Sequence, residues 1–395
     1  LKERLWTKSF IMLMVGNLFV FMSFQMLIPI FPPYIKSLGA EGIEIGLVTA
    51  LFSIGAVLSR PIIGFMLEYR ARKAIVLMGA VLLLVITVFY PLSRIIFIFL
   101  LFRFLHGLAW GWSTTVNGTA AADTIPMSRL GEGMGYYGLS VTIGMVIAPS
   151  LGILLYGITS FKNLIFISAI LGIIAVILFI FANYRTPETV RQTRREDLKF
   201  TYFGSFIDKT AWFPAFITLL ISLGYGTITT FIVIFGQERE ISHIFLFYIV
   251  NAIFSSVSRP FAGRWFDEKG PRGLVVMCTI ITFAGMWVLS FAHSDFSIAI
   301  AGGLFGIGFG CVIPTLQSWA LVITPEHRRG VVNGMIFSAI DLGIGISGLI
   351  FGLVAQFLET ATLFRLGSLF FIAAIFIVAF AEKRKQQAIV EKGVS

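Results

Sequence analysis

One stretch of this chain occurs twice, 199 residues apart. Ser59-Arg60-Pro61 and Gly64 return as Ser258-Arg259-Pro260 and Gly263, and the acidic Glu68 returns as Asp267. In the same register Gly107 and Gly111 fall on Gly306 and Gly310, and Pro126 falls on Pro325. Arg129 falls on Arg328, Gly131 on Gly330, Gly135 on Gly334 and Gly144 on Gly343. A register that holds without a gap from Ser59 to Gly144 requires two structurally equivalent halves. Whatever fold one half adopts, the other must adopt it too.

The sequence is 57% hydrophobic and only 13% charged, against about 25% charged in a typical soluble domain. Its apolar runs are too long for core helices and fit membrane spans, which need roughly 20 residues to cross about 30 Å of hydrocarbon. Twelve runs qualify: 10–36, 43–67, 74–93, 95–118, 132–157, 161–183, 210–236, 242–266, 273–292, 296–323, 330–357 and 360–381. The first is too long for a signal-peptide core and has no small-x-small cleavage site, so it is expected to be a retained helix. Repeated halves in a chain this apolar are the layout of transporters built from parallel repeats.

A net charge of +10 raises the question of nucleic acid, but the distribution argues against it. With both termini placed in the cytoplasm, only Lys36, Arg94, Lys162, Arg239 and Arg365 of the 30 basic residues fall in outer loops. Arg60, Arg103 and Arg259 lie well inside spans, and the rest crowd the inner segments and the inner ends of spans. That asymmetry is the positive-inside rule and fixes the orientation of a multi-pass protein; its expected location, from the lean layout of the chain, is the cell inner (plasma) membrane. Cys278 and Cys311 both lie in spans, so neither a disulfide framework nor a Cys-rich metal site is expected. The polar stretch 185–209, with Arg191, Arg194, Arg195, Glu196, Asp197 and Lys199, reads as a cytoplasmic linker, part of it a candidate amphipathic interfacial helix. It separates an N-terminal six-helix bundle, 1–184, from a C-terminal one, 210–382. The charged tail 383–395 is expected to be frayed and cytoplasmic.

Three stretches carry chemistry. The loop after span 2 reads Gly64-Phe-Met-Leu-Glu68-Tyr-Arg70-Ala-Arg72-Lys73, and its second copy Gly263-Arg-Trp-Phe-Asp267-Glu-Lys-Gly270-Pro-Arg272. A glycine there permits close helix approach, the acid can meet a helix N-terminus, and the basic cluster anchors the loop in the cytoplasm. Span 4 holds Arg103-Phe-Leu-His106-Gly107-Leu-Ala-Trp110-Gly111. A guanidinium inside a span costs at least roughly 2.5–3.5 kcal/mol on insertion scales, so it should face a cavity, a carboxylate or the carbonyls of neighbouring helices. Span 5 contains Gly144, Ala148-Pro149 and Gly152; the proline removes a backbone donor and kinks the helix, and the glycines let it pack closely.

These stretches resemble the major facilitator superfamily, over nearly the whole chain. The loop is similar to that family's G-x-L-x-D-R-x-G-R-K loop, with Glu68 for Asp, Tyr69 for Arg and Ala71 for Gly in the first copy. The resemblance implies an all-α membrane protein of twelve transmembrane helices in two six-helix bundles, which rocks between inward- and outward-facing states. It makes Gly64, Glu68, Arg72, Lys73, Gly263 and Asp267 an inner gate, with Glu68 latching near Gly330. It ties Arg103 to proton coupling, a structural arginine being the alternative. Gly144, Pro149 and Gly152 resemble the antiporter signature G-x-x-x-G-P-x-x-G, with Ala148 where Gly is usual, an element associated with exporters. It lines a cavity with spans 1, 4, 7 and 10, which offer Asn17, Gln25, His106, Trp110, Asn117, Tyr225, Gln317 and Trp319. Aromatics mixed with amides suit amphipathic molecules, although each such residue can equally pack against lipid or a neighbour.

The acidic residues are sparse within the spans. Asp341 alone lies deep in one, about 16 Å from the inner side at 1.5 Å per residue, with Arg60 at roughly 10–12 Å from the same side. Spans 2 and 11 of the family fold face each other, so Arg60 and Asp341 are expected to pair across the two halves, with Asp341 exchanging protons; a satisfied polar pocket is the other reading. Gly306-Ile-Gly308-Phe-Gly310 and Gly131-Glu-Gly133-Met-Gly135 mimic nucleotide loops but sit in or beside apolar spans, and the G-x-x-x-x-G-K-[ST] loop is absent. Neither ATP nor a Ser/His/Asp enzyme mechanism is expected, and no cofactor or metal.

The expectation is a monomeric, proton-coupled transporter that exports small amphipathic molecules or drugs, with a small-molecule substrate, protons and the lipid bilayer as its partners. A dedicated exporter of one metabolite, such as a sugar or a metallophore-like anion, is the same-fold alternative. A non-transporting membrane sensor is the alternative of another class.

Overall fold

The computed structural model describes residues 4–67, 69–126, 130–186, 188, 190, 194, 201, 207–324 and 329–393. For residues 381–393 and a few others, Asp267 among them, the description is of the backbone alone. Glu68 and the linker residues Arg191, Arg195, Glu196, Asp197 and Lys199 lie outside it, as do Pro325, Arg328 and Arg129. Among the described residues all regular structure is helical.

Span 1 is not one helix. It forms α1 (Lys8–Gln25) and a short α2 (Phe31–Ser37). Pro29 lies in the break, and Pro32 and Pro33 occupy the first turn of α2, where their missing N–H groups cost nothing. Spans 2 to 6 are α3 (Gly42–Met66), α4 (Arg72–Phe89), α5 (Ile96–Thr124), α6 (Leu130–Ile158) and α7 (Phe161–Phe181). Spans 7 to 12 are α8 (Trp212–Glu238), α9 (Leu246–Lys269), α10 (Pro271–Ser290), α11 (Asp295–Val322), α12 (Arg329–Val354) and α13 (Thr360–Gly393). Eleven of these helices are long and apolar enough to cross a membrane. The twelfth, α9, has the length at 24 residues, but Asn251, Arg259 and Arg264 dilute its apolar content.

Beyond Glu382 the chain was expected to fray. Instead α13 continues to Gly393, because Lys383-Arg-Lys-Gln-Gln-Ala contains good helix formers and no breaker before that glycine. Several helix starts carry their own caps: Thr7 Oγ1 accepts from the Phe10 N–H, Ser160 Oγ from Asn163, and Ser294 with Ser297 makes a capping box.

The chain divides into two compact units, Leu1–Phe206 and Ile207–Ser395. Inside unit 1, α3 and α4 pack on α5, α1 packs on α6 and α7, and α4 packs on α7. Inside unit 2, α9 and α10 pack on α11, α8 on α12 and α13, and α10 on α13. The second set of pairings is the first moved on by six spans, so the sequence register becomes a packing register.

Glycine makes the tightest of these contacts possible. Gly107 of α5 sits against the Phe52 carbonyl of α3, and Gly306 of α11 sits against the Asn251 carbonyl of α9. All four positions obey the 199-residue offset. A methyl group at either glycine would overlap backbone, which cannot give way.

The loop glycines behave differently. No described atom lies within 4 Å of where a Cβ would sit on Gly64 or Gly263. The close approach expected at those two positions is made one to three turns away, at Gly55, Gly107 and Gly111 and at Gly306 and Gly310.

Candidate functional site

Four side chains on one face of α5 are polar, at three- to seven-residue spacing: Arg103, His106, Ser113 and Asn117. All are almost fully buried, with exposures of 2%, 0%, 0% and 1%. Each has found partners on another helix or one turn along its own. Asn117 Nδ2 donates to Asn17 Oδ1 of α1 at 3.2 Å and to Ser113 Oγ at 3.3 Å. Asn17 Nδ2 donates in turn to Ser140 Oγ of α6 at 3.4 Å. Asn17 and Asn117, expected separately as cavity residues, are therefore brought together as one amide network inside unit 1.

Arg103 lies flat between two rings, 4.8 Å from the Phe31 centroid and 4.4 Å from that of Phe52. Its Nε donates to the Val48 carbonyl of α3 at 2.9 Å. Among the described residues no carboxylate reaches it, and its Nη1 has no partner. Ring faces and a carbonyl substitute for a counter-ion. The expectation of a coupling arginine and the alternative of a structural one meet here in a geometry that is at least structural.

His106 was expected in an open substrate cavity. It lies instead in the interior of unit 1, with Nδ1 3.1 Å from the Tyr90 hydroxyl and its ring edge-on to Phe24. The reason is helical phase: His106 shares the face of α5 that α1 and α4 cover. Trp110, one turn on, stacks on Phe24 at 4.0 Å and meets Phe21 edge-on at 4.8 Å. Gln25 is 9% exposed, at the end of α1 beside the break.

In unit 2, Tyr225 of α8 stacks on Phe309 of α11 at 4.2 Å. Trp319, two turns and more along α11, faces Phe213 at 5.6 Å, with the Arg272 guanidinium 5.8 Å from its ring. Gln317 is half-buried. Tyr225 and Trp319 therefore belong to different levels of the unit, separated by roughly 15 Å along α11 at 1.5 Å per residue.

Of the gate residues, Lys73 is exposed as a cytoplasmic anchor would be. Arg72 is not. It is 4% exposed and forms an ion pair with Asp123 of α5, Nε to Oδ2 at 2.6 Å. Its Nη1 also donates to the Leu67 carbonyl, at the end of α3. The two loop copies differ for a backbone reason. Gly270 takes φ +79° at the α9–α10 junction, while Ala71, in the corresponding place, stays at φ −64°. Without the left-handed residue, the last carbonyls of α3 need another donor, and Arg72 supplies it. Glu68 lies outside the described residues, and Asp267 belongs to α9 through its backbone alone.

The span 5 motif faces α1. Gly144 abuts the Phe21 Cβ and Gly152 the Met26 carbonyl, with Pro149 buried inside α6. In unit 2, Gly343 meets Ser222 and Leu219 of α8, but Phe351 stands where Gly152 does in the first copy. Arg60 of α3 is 8% exposed, its Nη1 donating to Thr114 Oγ1 at 3.4 Å, and its counterpart Arg259 donates from Nε to the Gly310 carbonyl at 3.3 Å. Asp341 is half-buried midway along α12. Sequence reasoning missed Tyr90, Ser23, Ser168 and Ser140, single hydroxyls in apolar runs. Spacing along α5 picks out the residues they serve, Arg103 to Asn117, and carries no signal for hydroxyls on other helices.

The profile of the Major Facilitator Superfamily matches residues 13–348, and again 245–393. The chain belongs to that superfamily. It is similar to a multi-drug resistance efflux pump PmrA homolog of Lactococcus lactis, with 25% identity over 392 residues covering 96% of both chains. It is also similar to the quinolone resistance protein NorA of Staphylococcus aureus, with 22% identity over 85% of this chain and 87% of that one. Among solved structures, the nucleoside transporter NupG matches with a TM-score of 0.77 at 12% identity, over 94% of this chain and 99% of that one. A bacterial homologue of the human lysosomal transporter Spinster matches at 0.77 and 14%, over 95% and 96%. These establish the major facilitator fold and a multi-pass membrane transporter rather than an enzyme.

Proposed function

We propose that this superfamily member exports small amphipathic molecules in exchange for protons, from the cytoplasmic side of the cell inner membrane. The similarity to a multi-drug efflux pump across 96% of both chains carries the reading. The glycine–proline element of α6 supports the direction of transport. In this scheme Asp341 carries the proton. It is the one carboxylate expected deep in a span, and it sits half-buried midway along α12. Arg60, buried on α3, is its proposed partner in the outward-facing state, and Arg103 tunes the electrostatics of the N-terminal unit. Gly64, Glu68, Gly263 and Asp267 form the proposed inner gate, and both termini lie in the cytoplasm.

Liposomes that hold the purified protein and a trapped pH dye test this. Several unrelated lipophilic cations and neutral drugs should each drive proton flux, and Asp341→Asn should abolish it at unchanged protein incorporation. Flux that survives Asp341→Asn would remove the carrier role. Flux with a single anionic metabolite would make the protein a dedicated exporter, with Arg60 and Arg103 as cargo ligands.

A further inference from the structure

The two units differ at one interior spot. In unit 1 a cavity with about 10 Å³ of room for the centre of a water molecule lies among Ser23, Leu83, Thr87, His106 and Gly172. A single buried water needs roughly 10–15 Å³ of such space and two to four polar partners. Gly343 meets Leu219, Ser222 and Leu223 of α8 where Gly144 meets Leu18, Phe21 and Met22 of α1, so these two helices correspond at 201 residues while the others keep 199. The corresponding positions six spans on are therefore Gly224, Met286, Phe305 and Phe371. Met286, Phe305 and Phe371 are fully buried, and the Phe371 ring comes within 2.6 Å of where a Cβ on Gly224 would sit. Unit 2 fills the spot with a thioether and rings, whereas unit 1 surrounds it with an imidazole and two hydroxyls.

Counting hydrogens decides what the cavity can take. Tyr90 is fully buried, and His106 Nδ1, 3.1 Å away, is the one hydrogen-bond partner its hydroxyl has among the described residues, so the phenol proton goes to Nδ1. An imidazole that accepts at Nδ1 carries its hydrogen on Nε2. That Nε2 is buried and has no partner among the described residues. The other two polar groups have already spent their protons: Ser23 Oγ donates to the Ser168 carbonyl at 2.8 Å, and Thr87 Oγ1 to the Leu83 carbonyl at 2.8 Å. The cavity thus presents one donor and two acceptors. A cation would face the Nε2–H donor, with Arg103 close behind it. An anion would face two oxygens with no hydrogen to give. A water molecule accepts once and donates twice, and it fits the count.

We propose that unit 1 binds one structural water, which accepts from His106 Nε2–H and donates to Ser23 Oγ and Thr87 Oγ1. The water completes a chain from Tyr90 through His106 and Ser23 to Ser168, and so ties α1, α4, α5 and α7 into one body. His106 is then a positioning residue that holds its place as the neutral Nε2–H tautomer.

The experiment is solid-state NMR of the full-length protein in lipid bilayers with ¹⁵N-labelled histidine, His106 being assigned by the signal lost in His106→Gln. The expected result is a protonated-type Nε2 and an unprotonated-type Nδ1, with magnetisation transfer from water to Nε2–H. Thr87→Val, which keeps the shape but removes one acceptor, should weaken that transfer at least twofold and leave the tautomer unchanged. An Nδ1–H tautomer, an imidazolium, or an Nε2–H without contact to water would overturn the proposal. So would a water contact that Thr87→Val leaves untouched.

Discussion

The Arg72–Asp123 ion pair joins the first turn of α4 to the end of α5. The pair is short, with Arg72 5% and Asp123 18% exposed at the side chain, and Arg72 also covers the end of α3. Removing one partner of a buried pair leaves the other charge uncompensated. Arg72→Met should therefore lower stability by about 2–4 kcal/mol, read as a fall in the thermal unfolding midpoint in detergent. Asp123→Asn keeps an acceptor but leaves the Arg72 guanidinium without its counter-charge, and should cost a similar amount, about 2–4 kcal/mol. The corresponding positions of unit 2, Pro271 and Val322, offer no such pair, so Arg272 substitutions should be nearly silent in the same assay. The importance of Arg72 was not legible in the sequence. In the chain it is one base among three in a loop, and only the missing left-handed residue at Ala71 gives its guanidinium a carbonyl to cap.

At the scale of the helix, glycine placement separates packing from gating. Gly107 and Gly306 touch the backbone of a neighbouring helix, and a methyl group there has nowhere to go. Gly107→Ala and Gly306→Ala should each destabilise by about 1–3 kcal/mol. Gly64→Ala meets open space within its own unit and gains helix propensity, so its stability should hold or rise by up to about 1 kcal/mol. Transport lost in Gly64→Ala at full stability would mark this glycine as part of the gate, and transport retained would remove it from the gate. The spans themselves were legible as apolar runs of the right length. The break in span 1 was written in Pro29, Pro32 and Pro33 and was passed over, because a continuous run of hydropathy hides a missing N–H.

For the whole molecule, the charge asymmetry makes a topological prediction. Lys162→Cys, exposed in the first turn of α7, should react with a membrane-impermeant maleimide on intact cells. Lys73→Cys, exposed in the first turn of α4, should react only after the membrane is opened. The native Cys278 and Cys311 are buried and should stay silent in both cases. The reverse pattern would invert the orientation, and with it the direction of export.

The sequence alone determined the two-fold repeat, the helices that span, and the superfamily. These follow from periodicity, hydropathy and glycine spacing, which are properties of the chain read in order. Only the tertiary structure decided which polar residues meet. Asn17 and Asn117 lie 100 positions apart and bond directly, while His106, named as a cavity residue, turned inward to Tyr90. In an apolar interior every polar group must find its partner within about 3 Å. That partner is set by how the helices turn against one another, which neither helix records by itself.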